Sequence, residues 1–344
     1  MVQVLAAMGV LVAHQLEVRP AGRARRTQRT RVVVLCAGRH AKHSRGEAQR
    51  LPPERLSHWL SVTAILSIQS AVAYGHAGNS AATFPLMRMG VEVWPVLTVN
   101  FSNHTGYGAW RGPMIPATDV AAVVQGIDDR GVLDRCDAVL SGYQGSAQIG
   151  QVVLDAVALV RRRNPGAVYC CDPVMGDVGR GFYVQPEIPA MMRDLVVPAA
   201  DIVTPNQFEL EFLTGRAVET LDDVVAAARA LRARGPRVVL VTSVAAIADP
   251  ESISMVAVSE DGAWSVTTPA IGQVFTGGGD VTAATFLVNI LRGRGVPAAL
   301  GETAAVMYGL LTATHELGRS ELALVAAQDE LVHPSHRFEV ARLA

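Results

Sequence analysis

Residues 275–284 read Phe-Thr-Gly-Gly-Gly-Asp-Val-Thr-Ala-Ala, and this stretch decides how the rest of the chain is read. Three successive glycines running into an apolar helical pattern leave backbone amides uncovered at a helix mouth. A helix N-terminus carries roughly half a positive charge, so Gly277, Gly278 and Gly279 can form an anion cradle without any cationic side chain. Asp280 stands at the start of that helix. A carboxylate beside an anion site is electrostatically awkward, and its placement makes sense where it takes a proton from a hydroxyl attacking a phosphate. The plainer alternative is a tight turn with Asp280 as helix cap. A dinucleotide fingerprint fits poorly: it needs G-x-G-x-x-G/A directly after a strand, whereas here the third position is Thr282 and a hairpin precedes the glycines.

That hairpin consists of two short alternating runs, 254–258 and 264–268, around Glu260-Asp261-Gly262, whose Asp-Gly pair predicts the turn. Downstream, the spacing predicts two long helices over 280–291 and 296–317. Upstream, short apolar runs alternate with amphipathic stretches. Strands are predicted at 64–69, 91–99, 138–141, 168–171, 202–204 and 238–242, several of them apolar throughout, as strands buried on both faces are. Helices are predicted at 80–89 with Asn79 as cap, at 118–127 after Pro116, at 146–163, and at 222–234 behind Thr220 in a T-x-x-D arrangement that stops at Gly235-Pro236. This alternation predicts an α/β fold, a central mostly parallel β-sheet flanked by helices on both faces, over residues 61–344. The functional residues then belong in loops after the strands.

Of 344 residues, half are hydrophobic and 18% charged, which excludes a chain disordered throughout. No uninterrupted apolar run reaches the roughly 18 residues of a membrane helix, the nearest being residues 2–12, so no membrane partner is expected. Residues 1–60 hold 11 basic residues against 3 acids, with no sustained periodicity. They read as a basic, disordered N-terminal extension, with an organelle-targeting peptide as the alternative. The remainder holds 19 basic residues against 28 acids, a balance unsuited to neutralising nucleic-acid phosphates. The cysteines, at 36, 136, 170 and 171, form neither a disulfide framework nor a CxxC pair, which suits a reducing, cytoplasmic setting. Lys42 is the sole lysine. A core Schiff base and a P-loop are thereby excluded, and any bound phosphate must rely on amides, arginine or a metal.

Four further segments carry candidate chemistry. In Cys171-Asp172-Pro173-Val174-Met175-Gly176-Asp177, a buried strand delivers Asp172 to its carboxyl end, where it could hold Mg²⁺ through water or merely cap a turn. Thr204-Pro205-Asn206-Gln207-Phe208-Glu209 repeats that arrangement, with Glu209 in a first helical turn. Ile68-Gln69-Ser70 ends the first strand ahead of a glycine-rich turn, and residues 101–108, Phe-Ser-Asn-His-Thr-Gly-Tyr-Gly, read either as a lid over a flat ligand or as a surface loop. His333 and His336 form an H-x-x-H pair without a third ligand nearby in sequence, too little for a metal site.

Taken in order, ILSIQSAVAYGHAGNSAATFPL, WPVLTVNFSNHTGYGAW, CDAVLSGYQGSAQ, CDPVMGD, ADIVTPNQFELEFLTG and TGGGDVTAA resemble the pyridoxal kinases of the ribokinase-like superfamily, over residues 62–344. The resemblance implies transfer of the ATP γ-phosphate to the 5′-hydroxyl of pyridoxal or its relatives pyridoxine and pyridoxamine. It implies Mg²⁺, a monovalent cation such as K⁺, and a homodimer. By the matching motifs Asp280 is the base, Gly277–Gly279 steady the moving phosphoryl group, and Ser70, Thr105 and Tyr143 contact the pyridine ring. Asp172, Thr204, Glu209 and Thr242 serve ATP, with Asp172 and Glu209 toward the metal. The chain departs from some bacterial members in having Thr242-Ser243 where they carry lysine and Gly106 where they carry glutamine. It departs from sugar kinases in having Val274-Phe275 where an Asp–Thr pair is usual. Backbone amides and metal must therefore carry more of the phosphate charge. The readings kept beside this one are a hydroxymethylpyrimidine or sugar kinase, and a non-catalytic protein that binds pyridoxal phosphate and hands it on.

Overall fold

A computed structural model describes residues 62–245 and 251–344. The expected N-terminal extension lies outside the described residues. The first strand, β1 (Ala64–Val72), is buried at all positions but one: its largely apolar sequence faces helices on both sides, and the polar residues it carries, Ser67, Gln69 and Ser70, are buried with it. It pairs in parallel with β2 (Glu92–Phe101) on one side and β3 (Cys136–Ser141) on the other. β4 (Val168–Cys171), β7 (Ile202–Val203) and β8 (Val238–Ala245) continue the parallel array. β9 (Ser252–Ser259), β10 (Gly262–Pro269) and β11 (Val340–Leu343) complete the sheet antiparallel, giving the order β11-β10-β9-β8-β7-β4-β3-β1-β2. A separate small hairpin pairs β5 (Gly176–Asp177) with β6 (Gly181–Phe182).

Helices cover both faces. Leu66 and Ile68 of β1 join one core with α2 (Ala117–Asp128), α3 (Ala147–Arg163), α5 (Gln207–Thr214) and α6 (Leu221–Arg232); a four-residue helix, α4 (Ile188–Met191), lies between α3 and α5. Ile65, one residue away and on the other face, joins a second core with α1 (Asn79–Arg88), α7 (Gly278–Leu291) and α8 (Val296–Glu316). Each of these fully buried aliphatic side chains contributes about 1.5–3 kcal/mol. By length and composition α8 could cross a membrane. Its buried face, which includes Leu300, Ala304, Val306 and Leu310, instead packs into this core.

The order of strands reverses between β1 and β3. From β1 the chain steps outward to β2, then returns to the opposite side of β1 and proceeds through β3, β4, β7 and β8. At such a switch point the connections leave in opposite directions and open a crevice past the strand ends.

Several local expectations are corrected. Asn79 does not cap α1: the cap position is Gly78, and Asn79 is the first helical residue. Its side-chain amide donates to the carbonyls of Ser67, Gln69 and Val96, tying β1 to β2 beside the break in their register. The demand of those strand carbonyls outweighs the local capping preference. Gly262 is not a central turn residue but the first residue of β10, paired with Ser259, so the loop is Glu260-Asp261. β7 ends before Thr204, and β8 runs on past Thr242 through a bulge. The box around α6 is as expected: Thr220 Oγ1 accepts from the Asp223 amide at 3.1 Å and Asp223 accepts from the Thr220 amide at 2.9 Å.

Candidate active site

The carboxyl ends of the parallel strands open into a cleft of about 490 Å³. Ser70, Thr105, Tyr143, Asp172, Thr204, Glu209, Thr242, Gly277, Gly278, Gly279 and Asp280 all line it. Residues separated by up to 210 positions are thus gathered by the strand ends and by the mouth of α7.

The glycine run works through two close approaches. Gly277 is the cap residue of α7, with φ of 84°, and a Cβ there would overlap the carbonyl of His76. Gly78 has φ of 55°, and a Cβ there would overlap Ser70. The two loops therefore meet backbone to backbone, an approach open to glycine alone. No side chain caps α7, so its first amides have no side-chain acceptor. Asp280 lies in the first turn, half-buried, and does not act as the cap. Burial pushes its carboxyl up to about 6, partly offset by the backbone amide of Gly78, which donates to it.

Across from the glycines, Asp172 Oδ2 lies 3.8 Å from where a Gly279 Cβ would stand. Thr204 Oγ1 donates to Asp172 Oδ1 at 3.0 Å. Burial holds the Asp172 carboxyl well above the usual range, and the neighbouring carboxylates of Glu209 and Asp280 add to the effect. Glu209 has a different local role from the free first-turn acid its sequence suggests. With Asn206 it forms a reciprocal capping box on α5, and it also accepts from the Met175 amide at 2.8 Å. Burial raises it too, against the lowering effect of those amides.

Asp172 and Glu209 are buried and Asp280 is half-buried, all with raised proton affinities and none hydrogen-bonded to a basic side chain among the described residues; one or two of them could meet a divalent cation that arrives with its own phosphate ligands. Among the described residues no group of three or more His, Cys, Asp or Glu is placed to hold a metal ion by itself, and His333 and His336 belong to none. His336 instead stacks on Phe338. Mg²⁺, which keeps several waters and takes one or two carboxylates beside substrate phosphates, fits this donor set.

The remainder of the lining was not apparent in the sequence. Thr242 is followed by Ser243, which holds φ of 54° beside the bulge in β8 and also faces the cleft. A non-glycine residue in that region costs about 1–3 kcal/mol and is a frequent mark of ligand sites. Arg180, on the β5–β6 hairpin, is the one arginine among the described residues lining the cleft, and its guanidinium lies 4.8 Å over the Tyr183 ring. Ile253, Ile271, Phe275, Met307 and Leu311 make an apolar end suited to a flat heterocycle. Two residues at the switch point mark the other end: Tyr143, after β3, and Ser70, near the end of β1, a strand that runs on to Val72 and does not end at Ser70 as its sequence suggested.

A mostly parallel sheet whose switch point gathers an uncapped, glycine-lined helix mouth, a first-turn carboxylate and two further buried acids is the arrangement expected of a phosphotransferase for small-molecule alcohols. The family model for phosphomethylpyrimidine kinases matches residues 115–324. A pyridoxal kinase of Rubrobacter xylanophilus is 56% identical over 282 residues, covering 81% of this chain and 97% of its own. The structure is also similar to Leishmania donovani pyridoxal kinase, solved with ADP and ginkgotoxin (TM-score 0.78, 32% identity, 82% of this chain and 100% of that one) and with ADP and pyridoxamine (TM-score 0.77, 33% identity, 82% and 99%). The chain belongs to the pyridoxal kinase family, with the ribokinase-like fold.

Proposed function

We propose that this protein transfers the γ-phosphate of ATP to the 5′-hydroxyl of pyridoxal, giving pyridoxal 5′-phosphate and ADP. The observation that carries the proposal is the pairing of Asp280 with uncapped amides at the mouth of α7, facing Asp172 across one cleft. Asp280 takes the hydroxyl proton as the vitamer oxygen bonds to the γ-phosphorus, and the bond to the bridging oxygen breaks toward ADP. The amides of Gly277–Gly279 accept the charge spread over the transferring oxygens, and because they are fixed in place they need no reorganisation at the moment of transfer. Asp172, oriented by Thr204, and Glu209, oriented by three backbone amides, would hold Mg²⁺, Glu209 through water. When bound, that ion neutralises charge on the β- and γ-phosphates. Thr204 and Thr242 border the nucleotide, while Ser70, Thr105 and Tyr143 meet the pyridine ring. The assignment of Mg²⁺ as the ion, the use of pyridoxine and pyridoxamine as further acceptors, a homodimer and a cytoplasmic setting belong to the same proposal.

ATP-dependent formation of pyridoxal phosphate at saturating Mg²⁺ is the direct test. Absence of turnover with all three vitamers, together with tight binding of pyridoxal phosphate, would overturn the reading in favour of a carrier. Because the matching family model is that of phosphomethylpyrimidine kinases, competition by hydroxymethylpyrimidine decides acceptor preference.

Two further outcomes are expected. Arg180→Ala should raise KM for ATP about tenfold, the loss of roughly one charge-assisted hydrogen bond to phosphate, with KM for pyridoxal little changed. An unchanged KM for ATP would remove Arg180 from the nucleotide site. A chain starting at residue 61 should remain soluble with the kcat/KM of the full chain; an insoluble or inactive product would show that the extension contributes to the fold.

A further inference from the structure

The lid segment after β2 is tied down in two different ways. Its base is held by backbone: the Ala73 and Tyr74 amides donate to the Phe101 and Ser102 carbonyls at 2.8 and 2.9 Å. Its tip, residues 104–107, turns back over the cleft and is held by side chains. Tyr107 donates its hydroxyl to Glu321 Oε1 at 2.7 Å, and His104 Nε2 lies 3.3 Å from the same oxygen. The other oxygen, Oε2, accepts from the His76 amide at 2.8 Å. Glu321 is only 13% exposed at its side chain, and Gly75 leaves the room the carboxylate occupies, since a Cβ there would collide with it. Its backbone meanwhile forms a parallel bridge with Thr276, the residue before the glycine run.

We infer that Glu321 is a positioning residue that latches the vitamer lid to the phosphate cradle. The two anchored residues, His104 and Tyr107, flank Thr105, which lines the cleft, so the latch fixes the height of Thr105 above the ring. The same residue braces the segment entering the cradle through Thr276 and the opposing loop through His76. Tyr107 is 47% exposed and its ring meets those of His104 and Tyr74 at centroid distances of 4.5 and 6.1 Å; to this limited packing the carboxylate adds the directional, charge-assisted contacts of the tip. Without the latch the tip populates open conformations, and pyridoxal binding must first close it, which lowers its apparent affinity by the closed fraction.

The inference rests on the proposed pyridoxal site, and the experiment separates the two. In the full chain, Glu321→Ala should raise KM for pyridoxal about tenfold or more, with KM for ATP little altered. Glu321→Gln, which keeps an acceptor but loses the charge, should give a smaller rise. Tyr107→Phe should raise the same constant and add little in the Glu321→Ala background, because both changes open one latch. Chymotryptic cleavage beside Tyr107 and Trp110 should be faster in Glu321→Ala and slowed again by pyridoxal. Cleavage at the wild-type rate, equal increases in both KM values, or fully additive effects would overturn the latch. If Glu321→Ala does not fold, Tyr107→Phe carries the same measurements. Wild-type protein without kinase turnover would overturn the proposed reaction, while the cleavage comparison would still decide the latch.

Discussion

Asp280→Asn is expected to lower kcat by about 10²–10⁴-fold, the usual contribution of a well-placed general base. Asparagine keeps the shape and can still face the Gly78 amide, but it cannot accept the hydroxyl proton. KM for ATP should change little, because the amides and acidic pair that meet the phosphates remain. The wild-type pH profile should carry the same signature. Burial pushes the Asp280 carboxyl up to about 6. The working form is the ionised one, so kcat/KM should rise with pH through about 6 and level above it, falling about tenfold per unit below. The variant should lose that limb of the profile. An asparagine variant with the wild-type rate would remove Asp280 from the chemistry, and a profile flat through pH 6 would remove it as the titrating base.

Gly277→Ala should be nearly as damaging, for a geometric reason. At φ of 84° an L side chain is strained, and its Cβ would overlap the His76 carbonyl, so either the cradle or the His76 loop must move. Misplacing one fixed donor to a developing oxyanion costs about 10²–10³ in kcat. Strain alone is separable from this effect. Gly90 has nearly the same φ, 83°, with nothing within 4 Å of its absent Cβ, and does not line the cleft. Gly90→Ala should lower Tm and spare kcat, whereas Gly277→Ala should lower kcat at temperatures where the protein is fully folded. Equal effects of the two on kcat would show that the cradle donors are not needed.

The parts of this architecture readable from sequence are those that local physics determines. The mostly apolar stretch of β1 reads as a strand buried on both faces, and the box at Thr220 needed nothing beyond residues three apart. The glycines and Asp280 were legible because no other side chains leave amides uncovered at a helix mouth. Residues whose partners lie far along the chain were not. Asn79 looks like a cap until the carbonyls of two strands are beside it. Glu209 looks like a free acid, yet its carboxylate is filled by amides from its own box and from Met175. The two-residue strands of the β5–β6 hairpin are too short for any alternation to register, which hid the approach of Arg180 to the cleft. Glu321 had no local signal at all: its partners at His76 and Tyr107 lie 245 and 214 residues away.

The bridge between Thr276 and Glu321 also bears on how the protein is made. The strands that place Ser70, Tyr143 and Asp172 are made first, whereas the segment entering the cradle gains its neighbour at Glu321 only 45 residues after Thr276 itself. A nascent chain therefore lacks this bridge, and with it one neighbour of the segment that leads into the glycines, until residue 321 has been added.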